Sequence, residues 1–428
     1  MVRAKDWLVP GMRNLAQLQC EGCQVEFYED LPAGQATLTP ATLDAQSGEA
    51  FCPAGATWFA NWLAEGFRRR TDVMPTVTEE VFRPLRRPIL LNCLDALYGH
   101  ELMKLMNAQY YLDNHSDHDL IILIHANFRW LVPDGVAAIW TLDQPMSHGK
   151  EWSDALAAFV QIRLCSCDEA WLARAVNLPH GDDFDIARFT RVVPFPRDDF
   201  SASLQAMRAP NIVFVCRDDR PWFGKSAFTD VVGRLARALA RRGFPLAWLV
   251  RTLQHQAIAA VAQILRKNFP DLTFTVVGVG KSGGLPQWIH DRREGRPSAE
   301  DEVKVCRVCS QAHLVIGVHG SNMLLPSAHA AAVIDLMPPD RWGNLAQDIS
   351  LPMGETREQA LRAIFLPIRI GPAALAHIAA SRLRLAQHVL RLGRTYTRHD
   401  EQTQDKLASL AVEAHRANCQ ETALIAEG

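Results

Sequence analysis

"LVIGVHGSNMLLPSAHAAAVIDLMP", residues 314–338, reads as a buried apolar strand, a tight polar turn, a helix of small residues and a second apolar strand. Strands joined through a helix in this way run parallel in one sheet. The turn between them needs only a glycine and a cap, so His319, Gly320, Ser321 and Asn322 together point to something held there. A strand that ends in a glycine turn before a helix aims unpaired backbone N–H groups outward, and the helix dipole adds partial positive charge at that point. Anions and phosphates bind at such ends. Gly320 allows close approach of backbone to ligand, Ser321 can cap the helix and donate to a phosphate oxygen, and His319 and Asn322 add side-chain donors.

The same alternation extends outward on both sides. Upstream, NIVFVC (211–216), PLAWLVR (245–251) and LTFTVVGVG (272–280) read as strands. KSAFTDVVGRLARALARRG (225–243), AIAAVAQILRKNF (257–269) and AEDEVKVCRVCSQA (299–312) read as helices. Further upstream, ILLNCL (89–94), DLIILIH (119–125) and VAAIWTL (136–142) are strands, with helical spacing over GHELMKLMNAQYYL (99–112) and DALAAFVQIRL (154–164). A proline-containing stretch, 192–210, separates the two series as a linker. The expected class is therefore α/β with two parallel-sheet halves. The expected organisation is an N-terminal segment over 1–85 with short strands such as QVEFYED and QATLTPA, a first domain over 86–200, a second over 208–370, and C-terminal helices over 371–428.

The 428 residues are 48% hydrophobic and 21% charged with a formal net charge of -2, an ordinary globular composition without an overall nucleic-acid footprint. No run of about 18 apolar residues predicts a membrane span, and MVRAKDWLVPGMRN lacks the apolar core of a secretory signal. Ten cysteines in such a chain read as reduced thiols, so a cytoplasmic location is expected. Cys20-x-x-Cys23 with Cys52 raises a zinc reading, but a structural site wants four ligands and no fourth stands nearby. Cys306 and Cys309 share a helix face and read as packing.

V-I-G-V-H-G-S-N-M-L-L-P-S followed by V-I-D-L-M-P resembles the C-terminal block of family 61 glycosyltransferases: a strand, a His-Gly-Ala/Ser turn, an Asn-containing helix, then a strand with an acidic residue and Pro. The resemblance covers about 300–350, and Asn322 follows Ser321 directly where the family carries its asparagine a few residues later. It implies a GT-B architecture, two facing Rossmann-like domains with a nucleotide-sugar in the cleft. It also implies that His319, Gly320, Ser321 and Asn322 lie at the donor diphosphate and Asp335 near the nucleotide or its supporting turn.

CRDDRPWFGKSAF (216–228) follows the first strand of the second half, and there Arg217, Arg220 and Lys225 are candidates for phosphate oxygens, Arg217 being nearest the strand end. In the first half, CLDALYGHELMK (93–104) supplies Asp95, His100 and Glu101. An inverting transfer needs a base for the acceptor hydroxyl, and imidazole has the best-matched ordinary pKa, so His100 leads. His125, Arg129, Asp143 and His148 are further acceptor-side candidates. No Asp-x-Asp pair stands between two strands, so no cofactor and no metal is expected, and the diphosphate charge falls to Arg, Lys and the helix end. The expected partners are a nucleotide-sugar donor and a carbohydrate or glycan acceptor in polysaccharide synthesis. No nucleic acid is expected, and a homo-oligomer is compatible with the chain. Two alternatives stand beside this: a polysaccharide pyruvyl transferase-like enzyme, and a non-catalytic nucleotide-sugar binding protein.

Overall fold

The computed structural model describes residues 2–167, 169–177, 184–197, 208–217, 220–224, 247–295, 298–345, 347–351 and 362–393. The second α/β half carries a six-stranded, all-parallel sheet built from β11 (Asn211–Arg217), β12 (Thr273–Val279), β13 (His290–Asp291), β14 (Leu314–Val318), β15 (Val333–Met337) and β16 (Ala363–Pro367). Their order, β13-β12-β11-β14-β15-β16, reads 3-2-1-4-5-6 in chain order, the doubly wound Rossmann arrangement. Strands β14 and β15 are buried along their whole length, as expected of parallel strands covered on both faces. Helices α6 (Ala247–Asn268) and α9 (Pro372–Gly393) cover one face, with Ile258, Leu265 and Leu375 against Phe214, Phe274 and Ile316. Helix α7 (Ala299–Cys309) and the short α8 (Leu324–His329) lie on the other.

The stretch 245–251, expected as a strand, is instead helical from Ala247. The sheet position beside β11 is filled by β12, paired residue for residue from Asn211↔Thr273 to Arg217↔Val279, and residues 247–251 open α6 instead. The helix expected over 225–243 lies outside the described residues.

The first half has a sheet in the order β10-β7-β8-β9-β6, from β7 (Pro88–Asn92), β8 (Asp119–His125), β9 (Ala138–Leu142) and β10 (Trp171–Leu172), all parallel, with β6 (Val77–Val81) antiparallel on the edge. Residues 77–81, read from sequence as part of the N-terminal segment, thus complete this sheet. Helices α2 (Tyr98–Met106) and α3 (Ala108–Asn114) follow β7, α4 (Asp154–Cys165) follows β9, and α5 (Ile186–Thr190) leads to the linker. The single helix expected over 99–112 is broken at Asn107, whose side-chain amide donates to the carbonyls of Met103, Lys104 and Val176. Side-chain bonding of this kind competes with the helical ladder.

The N-terminal residues form an antiparallel meander, β1 (Val2–Leu8), β2 (Leu15–Cys20), β3 (Glu26–Asp30), β4 (Thr42–Asp44) and β5 (Ala50–Phe51), covered by α1 (Thr57–Arg68). QATLTPA, expected as a strand, is not one: Gly34–Thr37 make a 3-10 turn, begun by Gly34 at φ +58°, and β4 starts only at Thr42. The Gly34 N–H donates to the Ala175 carbonyl at 2.8 Å, which ties this segment to the first domain. The linker is also anchored. Arg197 donates to the carbonyls of Ser327, Ala328 and Ala330, which α8 leaves unpaired at its C-terminal end.

The two α/β domains meet face to face. Leu324, Leu325 and Ala328 of α8 and Cys306 of α7 share one apolar cluster with Leu102, Met103 and Phe128 of the first domain. At the centre of the contact a Cβ on Gly99 would lie 2.8 Å from that of Ser321, so the first turn of α2 and the turn after β14 touch because residue 99 has no side chain.

Candidate active site in the interdomain cleft

In the order 3-2-1-4-5-6 the connections leave in opposite directions at β11 and β14, and ligands of open α/β sheets lie in the crevice outside the strand ends at that point. The last residue of β11 is Arg217 and the turn after β14 is 319–322. Arg217 Nη1 donates to Asn322 Oδ1 at 2.6 Å. A cavity of about 750 Å³ opens there. It is lined by Arg217, Ser321 and Asn322, by Tyr98 of the first domain, by Arg292 and Glu294, and by the apolar Val215 and Val277.

The residues of the turn divide the work differently from the sequence expectation. Ser321 does not cap a helix: it begins a 3-10 turn, Ser321–Met323, and lines the cavity. The helix behind it, α8, has six residues, so its dipole is smaller than the sequence suggested. Asn322 orients Arg217, and its own Nδ2 is buried without a partner.

His319 is fully buried, with Nδ1 2.6 Å from Asp335 Oδ2 and Nε2 3.1 Å from Asp348 Oδ2. Only Nδ1 makes a hydrogen bond, to Asp335, and a fully buried ring with a carboxylate near each nitrogen does not reach a phosphate, which corrects the expected donor role of its side chain. Asp335, in the middle of β15, lies behind it and supports the turn from the strand. Burial raises the Asp335 carboxyl above its ordinary pKa, and His319 works against that rise. Gly320 has φ +150°, and a methyl group at this position would run into the Arg217 guanidinium. Gly320→Ala is therefore expected to cost about 1–3 kcal/mol and to displace Arg217. Urea midpoints of the two proteins measure the first effect, and an unchanged midpoint contradicts it.

Across the cleft, β7 ends into Asp95 and α2 carries His100. His100 Nδ1 is 3.6 Å from Asp95 Oδ1, and its Nε2 is 3.2 Å from the amide nitrogen of Gln347. An amide nitrogen donates, so this contact assigns the accepting lone pair to Nε2 and the proton to Nδ1, facing Asp95. Burial alone would raise the Asp95 carboxyl, but the Lys104 ammonium and His100 bring it below its ordinary pKa. Lys104 Nζ is 3.2 Å from Asp95 Oδ2. His100 thus lies between the Asp95 carboxylate at Nδ1 and the Gln347 amide at Nε2.

Glu101 is placed elsewhere. It is fully buried, accepts from the His125 backbone N–H at 2.8 Å, and lies 2.7 Å from His125 Nδ1. That contact ties α2 to β8 and seals both groups away from an acceptor hydroxyl, which corrects Glu101 as a base and His125 as an acceptor-side residue. Arg129 pairs with Glu80 through two nitrogens and fixes the edge strand. Asp143 and His148 are exposed. Lys225 lies outside the described residues. No group of three or more His, Cys, Asp or Glu able to hold a metal ion occurs among the described residues, so Cys20, Cys23 and Cys52 do not form a three-ligand cluster there.

The sequence reading missed Gln347 and Asp348. They belong to the irregular segment after β15, with no periodicity to mark them. The available signal was position alone, a polar stretch downstream of a strand's carboxyl end. Burial raises the Asp348 carboxyl above its ordinary pKa, while His319, His100, Arg217 and Arg220 pull it back. Those four groups are therefore its electrostatic surroundings. The reading also missed Tyr98, whose hydroxyl donates to Glu302 Oε2 across the cleft at 2.8 Å.

No family model matches the chain, and no curated protein matches it. Among solved structures it is similar to a putative UDP-N-acetylglucosamine 2-epimerase from Listeria monocytogenes, at 9% identity and a TM-score of 0.29. That similarity covers 78% of this chain and 80% of that one. At this distance it bears on neither fold nor chemistry, which rest on the strand order and side chains described above. No helix of the described residues is long and apolar enough to cross a membrane.

Proposed function

We propose that the chain is an inverting, metal-independent glycosyltransferase of GT-B type, related to family 61, that moves a sugar from a nucleotide-sugar to an acceptor hydroxyl in glycan or polysaccharide synthesis. The observation that carries this reading is that two unlike groups lie on two domains that meet, His100 of the first touching Gln347 of the second. An anion-binding corner of Arg217 and Ser321 stands at the switch point of one domain, and a braced imidazole, Asp95–His100, stands on the other.

In the proposed reaction the donor diphosphate lies against Arg217, Ser321 and the N–H groups of the turn. The acceptor hydroxyl enters from the first domain. His100 Nε2 takes its proton as the acceptor oxygen attacks C1 from the face opposite the diphosphate. A new C1–O bond forms, the C1–O bond to phosphorus breaks, and the electron pair leaves on the diphosphate. Arg217 stabilises that charge in a site screened from water by the apposed domains. The proton on His100 then passes to solvent or to the departing diphosphate.

Calorimetry with UDP, GDP, dTDP and CMP tests the donor side. One nucleotide is expected to bind, and Arg217→Ala should weaken it about 10- to 100-fold, as a charge-assisted hydrogen bond worth roughly 1.5–3 kcal/mol predicts. No affinity for any of the four at millimolar concentration would sink the reading and favour a phosphoenolpyruvate-dependent transfer. Binding without turnover would leave the non-catalytic alternative.

A further inference from the structure

Cys20 and Cys23 have no part in the reaction as written above. They belong to the turn between β2 and β3, where Glu21 through Val25 are exposed. The neighbouring strand adds no cover, since Val2 to Asp6 of β1 are exposed as well. The turn is organised around one sulfur. Cys20 Sγ accepts from the backbone N–H groups of Cys23 and Gly22, and the Cys23 thiol bonds to it as well. The Gln24 N–H closes the turn on the Cys20 carbonyl at 2.8 Å, and the Cys20 N–H donates to the Val25 carbonyl at 2.9 Å. Gln24 takes φ +59° there, a left-handed conformation uncommon for a residue with a side chain. The backbone thus brings two thiols together at an exposed hairpin end. N–H groups aimed at a sulfur favour its thiolate, which is the form that binds a metal.

Two cysteines at C-x-x-C spacing suit zinc, which takes four ligands in a tetrahedron where its role is structural. The rest of the chain does not complete the set. Cys52 is buried with Leu8, Leu43 and Leu63, its thiol on the Thr39 carbonyl. Glu26, close by in sequence, is engaged by Lys5 and Gln17. No group of three or more His, Cys, Asp or Glu able to hold a metal occurs among the described residues. The pair is therefore half a site, placed where another molecule can reach it. A second copy of the chain brings two more thiols in the same geometry, and a two-fold axis through the metal makes the contact self-complementary. We propose that the Cys20–Cys23 turn is one half of a tetrathiolate zinc site, completed by the same turn of a second copy, so that one zinc ion links two chains. Each of the four thiols releases its proton as the metal binds. The site is separate from Arg217 and His100, and this inference does not rest on the donor reading.

The test uses the full chain, kept reduced and stripped of metal, then titrated with Zn²⁺ and separately with Co²⁺. Zinc should bind at about half an equivalent per chain and double the mass seen by light scattering. Cobalt should give the visible bands and the sulfur-to-metal charge transfer of a tetrahedral tetrathiolate. A chelator should reverse the change in mass. Cys23→Ser should lose both the zinc and the zinc-dependent doubling, while its metal-free melting temperature matches that of the metal-free parent, which reports an intact fold. A parent chain whose mass does not respond to zinc overturns the proposal whether or not the variant folds. So does a full equivalent of zinc on an unchanged mass, or a cobalt spectrum without the tetrathiolate charge transfer. A Cys23→Ser chain that doubles with zinc as the parent does overturns it too.

Discussion

His100→Ala is expected to reduce turnover by about 10²- to 10⁴-fold, the contribution usual for a positioned general base, while nucleotide binding stays within about twofold. The reason is geometric. His100 stands on the first domain with Nε2 toward Gln347 and Nδ1 toward Asp95, whereas the anion-binding corner at Arg217 stands on the second. Its removal leaves the donor contacts intact and takes away only the proton acceptor. The measurement is release of the nucleoside diphosphate from its sugar conjugate, with calorimetry of the bare diphosphate as the control. A rate within threefold of the parent would mean that another group, or water alone, takes the proton. Glu101→Gln is the useful contrast. Glu101 joins α2 to β8 through His125 and does not reach the cleft, so its effect should appear as lost stability and not as a selective loss of rate.

The second large effect is thermodynamic. Lys104 is 1% exposed, with Nζ 2.6 Å from the Leu94 carbonyl, 3.2 Å from the Met12 carbonyl and 3.2 Å from Asp95 Oδ2. Its ammonium is therefore fully coordinated, and it is the cation that keeps buried Asp95 ionised. Lys104→Met removes it and leaves a carboxylate in a desolvated site, a change that costs about 3–5 kcal/mol. The sign of the pH dependence follows from Asp95. In the parent its pKa is held below the ordinary carboxylate value, so it contributes stability above about pH 4, the unfolded carboxylate range, and loses that contribution as pH falls through the folded pKa. In the variant burial acts with much less opposition and the pKa rises. Ionised Asp95 then destabilises at neutral pH, and protonation relieves it. The gap between the two proteins should accordingly be largest near pH 7 and narrow toward pH 4. Urea midpoints at the two pH values measure it. A gap below about 1 kcal/mol at pH 7, or one that widens in acid, would show that Lys104 is not the group holding that charge.

The architecture was largely legible because it rests on periodicity. DLIILIH predicted a strand over 119–125 and β8 spans those residues; LTFTVVGVG and HLVIGV became β12 and β14 to within a residue or two. Continuous apolar runs of this length have few other fates than a parallel strand covered on both faces. The strand expected over 245–251 failed by the same logic, since a short apolar run fits a helix as well, and 247–251 are helical.

By itself, then, the sequence determined the alternation of strand and helix, hence two sheets of mainly parallel strands, and with them the placing of Arg217, His100 and the 319–322 turn just beyond strand ends. Only the tertiary structure decided which way each side chain looks. Successive residues of a helix point about 100° apart, so His100 meets Gln347 of the second domain while Glu101 is sealed into the core. His319, flanked by strand and turn, faces two carboxylates that come from 335 and 348. Asp348 and Gln347 come from an irregular segment, and their place in the site follows from how that segment docks on α8, a contact between distant parts of the chain that no local pattern encodes.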